Sequence, residues 1–233
     1  MLPPTDYDQA ITIFSPDGRL YQVEYALELV KRGAPIVGVS ATDGAVLAAN
    51  DALESRLEDR NFSRKIFQID DHIGAAIAGL SSDARILIDR ARLICQQNRL
   101  LYDEVVDVTT LVLNLGDLYQ TYTQYAGVRP FGVSIIMAGV DVTGSRIAFI
   151  DPTGSYKRYK AVAVGRKNDE AIKHLEEGYR DNFQLDDAVR LAVAAVMIAS
   201  EGKVSAEDVS VAVIPEKNRS FTMLSVNEVE KYV

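Results

Sequence analysis

Ile36-Val37-Gly38-Val39-Ser40-Ala41-Thr42-Asp43-Gly44-Ala45-Val46-Leu47-Ala48-Ala49 sets two short apolar runs, Ile36–Val39 and Ala45–Ala49, on either side of Thr42-Asp43-Gly44. Asp-Gly between apolar runs is a strong hairpin signal, because a tight turn needs a backbone that glycine tolerates. Lys65–Ile69 and Ile73–Ala78 repeat the pattern around Asp70-Asp71. Two hairpins in succession predict an antiparallel sheet. Toward the N-terminus, Ser15-Pro16-Asp17-Gly18 signals a turn. Leu20, Val23, Leu27 and Val30 then recur at steps of 3, 4 and 3, one face of a short helix with Gly33 as its stop.

Beyond the hairpins two long helices are expected. Ser82 reads as an N-cap with Asp83 in the first turn. Ala84, Ile88, Ala91 and Cys95 step by 4, 3 and 4, as do Leu111, Leu115, Leu118 and Tyr122. The glycine-containing loop Tyr125–Pro130 closes the pair. A second β block follows in three strands, Val133–Ala138, Arg146–Ile150 and Tyr156–Val164. Its turns are Asp141-Val142-Thr143-Gly144 and Asp151-Pro152-Thr153-Gly154. Helices over Ala171–Tyr179 and along Leu185, Val189, Ala192, Val196 and Ala199 come next. Strands Val209–Ile214 and Ser220–Leu224 then lead to a terminal helix opened by the capping box Ser225-Val226-Asn227-Glu228. Strands arrive in blocks without βα alternation, so the fold class is α+β with antiparallel sheets. Two sheets between two helix pairs make a four-layer αββα sandwich with an extra N-terminal helix. No linker or repeat divides residues 1–233, so one domain is expected.

Composition sets limits on function. The chain has 233 residues, 48% apolar and 25% charged, the balance of an ordinary globular protein. A chain this long buries roughly 70% of its unfolded surface or more and needs no disulfide or metal staple. Cys95 is the only cysteine and His72 and His174 the only histidines, which leaves little for a metal site. With 33 acids against 25 bases, the net charge is −8, which opposes broad nucleic-acid binding and adhesion to anionic membranes. The longest apolar stretches, such as Leu191–Ala199, are too short to span a bilayer. No signal peptide is read before Arg19, and a cytoplasmic location is expected.

Isolated chemical motifs are weak. Ser200-Glu201-Gly202-Lys203 matches SxxK, but its place after a helix reads as a C-terminal cap. Cys95 lies on an apolar stripe and reads as a core thiol. Neither histidine has a partner that the sequence can name. The mixed-charge stretch Asp51–Lys65 reads as a solvated loop, and Lys65 by itself as a strand-edge lysine.

The segment Phe14-Ser15-Pro16-Asp17-Gly18-Arg19-Leu20-Tyr21-Gln22-Val23-Glu24-Tyr25 is far more specific. It closely resembles the N-terminal signature of proteasome α subunits, and Tyr7-Asp8 before it matches too. So do Lys65-Ile66-Phe67-Gln68-Ile69-Asp70, Ala78-Gly79-Leu80, Asp83-Ala84-Arg85, Tyr122-Thr123-Gln124-Tyr125, Val128-Arg129-Pro130-Phe131-Gly132 and Asp151-Pro152-Thr153-Gly154. The matches cover the chain in order and resemble the archaeal branch most.

The resemblance implies the αββα sandwich of the N-terminal-nucleophile hydrolases. In the catalytic β-type relatives a propeptide is removed and the new N-terminal threonine acts as nucleophile, with its own amine as base. Alignment on Val37-Gly38 places Ala34 at that threonine, followed by Pro35. Asn50 stands where an acid is expected, and Lys65 stands at the lysine. The resemblance therefore implies a non-catalytic subunit without a cofactor. Seven such subunits form the outer ring of the core particle, cap the β subunits, and gate the entry of unfolded protein. Residues 1–14 would be a flexible gating segment, 19–32 the α-type helix and 34–233 the sandwich. Tyr7, Asp8, Pro16 and Tyr25 match the gate cluster. Gly33, Lys65 and Leu80 match the pocket that docks the C-terminal tail of an activating AAA+ ATPase. Tyr125, Ala126, Gly127, Val128, Arg129, Pro130 and Phe131 match the pore constriction. Gln9 replaces the usual arginine, and Ala126 an often-found second glycine. Two other readings stay open: a peptidase that uses a processed nucleophile such as Ser40 or Thr42, and a binding scaffold outside the proteasome.

Overall fold

A computed structural model describes residues 12–53, 55, 57–60 and 64–233. Helix α1 covers Tyr21–Arg32, the strands β1 Ile36–Ala41 and β2 Gly44–Asn50 follow, then β3 Ile66–Asp70 and β4 Ile73–Gly79. Helices α2 Ser81–Tyr102 and α3 Val108–Gln124 lead into β5 Val133–Asp141, β6 Gly144–Ile150, β7 Tyr156–Tyr159 and β8 Ala161–Val164. After α4 Asn168–Gly178 and α5 Leu185–Ala199 come β9 Val209–Pro215, β10 Thr222–Met223 and the short α6 Val226–Val229. Two five-stranded sheets result, ordered β10-β9-β2-β1-β8 and β3-β4-β5-β6-β7. Every strand pairing is antiparallel.

Three apolar layers hold the sandwich together. Ile36, Leu47, Ile136, Ile147 and Val162 fill the space between the sheets. Val37, Val46, Val193 and Val211 join the first sheet to α4 and α5, and Ile77, Leu87, Leu111 and Met137 join the second to α2 and α3. All of β2 and all of β5 are buried, which is why both read as unbroken apolar runs. Full burial of each such Leu or Ile contributes about 1.5–3 kcal/mol.

The structure corrects three local expectations. The run Tyr156–Val164 is two strands, because β7 pairs with β6 and β8 pairs with β1. The chain changes sheet at Lys160; the exposed β7 reads Tyr-Lys-Arg-Tyr and the more buried β8 Ala-Val-Ala-Val. Helix α2 begins at Ser81 after Leu80, with no side-chain cap, so Ser82 is not its N-cap. In the first hairpin Ala41 pairs with Gly44, so the turn residues are Thr42 and Asp43, and Gly44 belongs to β2.

The C-terminal end of β4 is the tightest junction. Gly79 has φ of +120°, and a Cβ there would lie 2.2 Å from the Gly132 carbonyl oxygen. Leu80 N–H donates to that same oxygen at 2.9 Å. Gly79→Ala therefore combines an unfavourable backbone conformation with a backbone collision. A loss of about 3 kcal/mol is expected, read as a fall in Tm of roughly 6–12 °C.

Candidate functional site

The candidate site is built where β1, β2 and β3 meet the end of α1. Ala34 lies between α1 and β1 and offers only a methyl group. Its surroundings are closed by backbone contacts: Arg166 N–H donates to the Gly33 carbonyl at 2.9 Å, and Asn50 N–H to the Pro35 carbonyl at 3.0 Å. The buried Asn50 side chain donates to Ser200 Oγ at 2.9 Å and accepts from Ala52 N–H at 2.9 Å. Next to it the buried Asp51 carboxylate accepts from Lys65 N–H at 2.9 Å and from the Ser210 hydroxyl. Burial pushes the Asp51 carboxyl above its ordinary range, against the opposing pull of Ser210 and Lys65. These polar groups are committed to one another, so the cluster functions as a buried support. Ser200 is the C-cap of α5, as the sequence implied. Ser40 sits within β1 with its N–H donating to Lys160, and Thr42 lies in the hairpin turn.

The N-terminal turn is locally determined. Gly18 N–H donates to the Ser15 carbonyl at 2.8 Å, and Ser15 N–H to the Arg19 carbonyl at 2.9 Å. The Ser15 hydroxyl accepts from Arg19 N–H at 3.0 Å. Pro16 is exposed at this turn, and Arg19 holds Glu24 of α1 in a bidentate pair. Tyr25 is about half exposed on the outer face of α1, whereas Val23, Ala26 and Val30 are buried. Tyr7, Asp8 and Gln9 lie outside the described residues, as does most of the 1–14 segment.

Gly33, Leu80 and Lys65 come together around the end of β4. A Cβ on Gly33 would meet Gly79 N at 2.7 Å, so only glycine lets the end of α1 lie against β4. Leu80, partly exposed, follows directly in sequence. The Lys65 carbonyl accepts from Ile77 N–H at 3.0 Å across the β3–β4 edge, which fixes where the half-buried Lys65 leaves the sheet.

The Tyr125–Phe131 loop has an exposed arm and a buried root. Tyr125, Ala126, Gly127 and Arg129 are exposed and Val128 partly so. Pro130 and Phe131 are buried. The Phe131 ring stacks on Tyr122 at 4.3 Å and meets Tyr119 edge-on at 5.2 Å. These two residues anchor the loop, and Tyr125–Arg129 form its solvent-facing arm. Sequence reasoning missed the residue that holds the loop: Asp83. Its carboxylate accepts from both Arg129 terminal nitrogens at 2.6 and 2.8 Å and from Gly132 N–H at 2.8 Å. Asp83 was legible only as a first-turn acid, because its partners lie more than forty residues away.

The remaining reactive groups are structural. Cys95 is buried, and burial pushes its thiol up to about 12, so thiolate is scarce at neutral pH. His72 is buried with Nε2 2.8 Å from the Val106 carbonyl. Among the described residues no group of acids, histidines and cysteine could hold a metal ion, and no helix is long and apolar enough to cross a membrane.

Comparison with known proteins shows the family. A family model described as "Proteasome subunit" matches residues 30–214, and one for the N-terminal signature of A-type proteasome subunits matches residues 7–28. The chain is 47% identical to the proteasome α subunit of Methanosarcina mazei over 233 residues, covering 100% of this chain and 94% of the relative. It is 46% identical to that of Methanocaldococcus jannaschii, with 100% and 89% covered. Identity to that of Pyrococcus abyssi is 48%, with 99% and 88% covered.

Asp83 also sets an acid limit on stability. Burial works to raise its carboxyl, but Arg129 and Gly132 outweigh it and the net direction is downward. A depressed folded value contributes stability above the unfolded value of about 3.9 and loses it as pH falls through the folded one. Asp83→Asn should cost about 1–3 kcal/mol at neutral pH, toward the low end because Arg129 is half exposed. Denaturant unfolding of the variant between about pH 2 and 7 should show a shallower loss on acidification than the unaltered chain.

Proposed function

The chain belongs to the proteasome subunit family and, within it, to the α subunits of the core particle, and on that premise we propose that it builds and gates the outer ring without hydrolysing peptides itself. The observation that carries this reading is the state of the nucleophile position. Ala34 offers no nucleophilic atom, Pro35 follows it, and Asn50 replaces the acid while binding Ser200. An N-terminal nucleophile needs a free amine and a side-chain hydroxyl or thiol. Here the preceding chain enters as α1, whose Val23, Ala26 and Val30 are buried. Removing it would uncover the surface of β4 and β5 on which it packs, so the extension belongs to the working subunit.

In this function seven copies, or copies mixed with similar chains, form a ring that stacks on β subunits and receives unfolded protein. Pro16 and Tyr25, with Tyr7 and Asp8, shape the gate; the arm Tyr125–Arg129 narrows the pore. The junction of Gly33, Leu80 and Lys65 receives the tail of a AAA+ ATPase. The Lys65 ammonium pairs with the terminal carboxylate in a charge-assisted contact, Leu80 supplies an apolar wall, and Gly33 permits close backbone approach. Residues 1–233 act as a single domain in the cytoplasm.

The purified chain alone is expected to hydrolyse no fluorogenic peptide and to form rings under negative-stain microscopy. Peptidase activity that survives removal of every β subunit overturns the reading. Lys65→Ala should cut ATPase-stimulated degradation by roughly tenfold while rings still assemble, since loss of one paired charge at a docking site costs on the order of 1–2 kcal/mol. Unchanged stimulation removes Lys65 from the docking site.

A further inference from the structure

Lys65 is held by its backbone from two sides. Its carbonyl accepts from Ile77 N–H of β4 at 3.0 Å, and its own N–H donates to Asp51 Oδ1 at 2.9 Å. Among the described residues the Lys65 ammonium makes no ion pair. The charged end therefore stays available while the root is fixed.

Asp51, the second holder, is itself fixed to the first sheet. It follows β2 directly, and its N–H donates to the Asp208 carbonyl at 2.8 Å, in the turn before β9. Its other carboxylate oxygen accepts from the hydroxyl of Ser210 on β9. Ser210 pairs with Ala49 of β2 in the ladder, so β2 and β9 together set the place of the carboxylate. Only 6% of Asp51 is exposed, which shields both hydrogen bonds from water. Lys65 leads into β3, which belongs to the second sheet. One buried carboxylate thus carries the position of the first sheet into the root of a lysine on the second.

That position bears on how the lysine binds an anion. An ammonium on a four-carbon stem is a mobile point charge. Holding it against a ligand costs ordering entropy, and a root fixed in advance lowers that cost. We infer that Asp51 is a positioning residue for the docking of a peptide α-carboxylate on Lys65. The inference rests on the docking reading above and deepens it: selection of a free C-terminus depends on the bond from Lys65 N–H to Asp51, and the Asp51 charge itself is dispensable. Asparagine keeps the bond, because its amide oxygen accepts from Lys65 N–H and its amide nitrogen donates to Ser210 Oγ. Alanine removes it and leaves Lys65 N–H without its acceptor.

The test titrates rings of the full chain with a fluorescein-labelled octapeptide ending in leucine, tyrosine and alanine, whose apolar side chains suit the Leu80 wall. One form carries a free C-terminal carboxylate and the other a C-terminal amide, and anisotropy gives a Kd for each. The ratio of the two Kd values reports carboxylate recognition, whereas a merely structural change weakens both peptides alike. Unaltered rings should favour the carboxylate by roughly tenfold or more. Asp51→Ala should bring the ratio down to about twofold, and Asp51→Asn should hold it near the unaltered value. Ser210→Ala, which frees one oxygen of the carboxylate, should lower it by about threefold and decides the matter where Asp51→Ala forms no rings. An unchanged ratio in the deciding variant overturns the inference and leaves the docking reading standing. So does a ratio in Asp51→Asn as low as that in Asp51→Ala. Equal binding of the two peptides by unaltered rings overturns the docking reading and this inference with it.

Discussion

Three backbone segments touch at the C-terminal end of β4 with no side chain between them, and the surrounding elements hang from that contact. Gly33 brings α1 against Gly79, and Gly79 packs against the Gly132 carbonyl. Leu80 and Gly132 are joined by a backbone hydrogen bond. Asp83, one turn into α2, holds Gly132 N–H and Arg129. The end of α1, the root of the Tyr125–Phe131 loop and the start of α2 thus share one rigid reference. A side chain at Gly33 or Gly79 would displace all three, because close-packed backbone cannot yield as a flexible side chain can.

A second rigid region lies around Ala34, where β1 and β2 begin and end. Where a nucleophile and its acid are expected, Ala34 offers only a methyl group and Asn50 binds Ser200, while Asp51 ties Ser210 to the Lys65 backbone. Every one of these polar side chains is satisfied from within. A buried network that is fully paired rigidifies its surroundings. Here it fixes where Lys65 emerges from the sheet, because the Asp51 carboxylate holds the Lys65 backbone N–H.

Surface chemistry divides between the flanks of the sandwich. One flank carries the open edge of β8 and an apolar cleft; the other carries Leu57 on a charged connection. The net −8 of the chain makes like copies repel one another at long range.

Much of the architecture was legible because it rests on local rules. Period-3.6 apolar stripes marked α2, α3 and α5, the Asp43 and Asp70 turns marked the hairpins, and the capping box at Ser225 forms as read. The Phe14–Tyr25 segment carried the family, since a turn followed by an amphipathic helix is written in consecutive residues. Tertiary structure alone decided the rest. Nothing in Tyr156–Val164 announces that the chain leaves one sheet for the other at Lys160, because strand propensity does not register which sheet supplies the partner. The bond from Asp83 to Arg129 and Gly132 spans more than forty residues, and no local pattern encodes it. The burial of Phe131, the open edge of β8 and the exposure of Leu57 likewise depend on which surfaces the folded chain covers, which only packing determines.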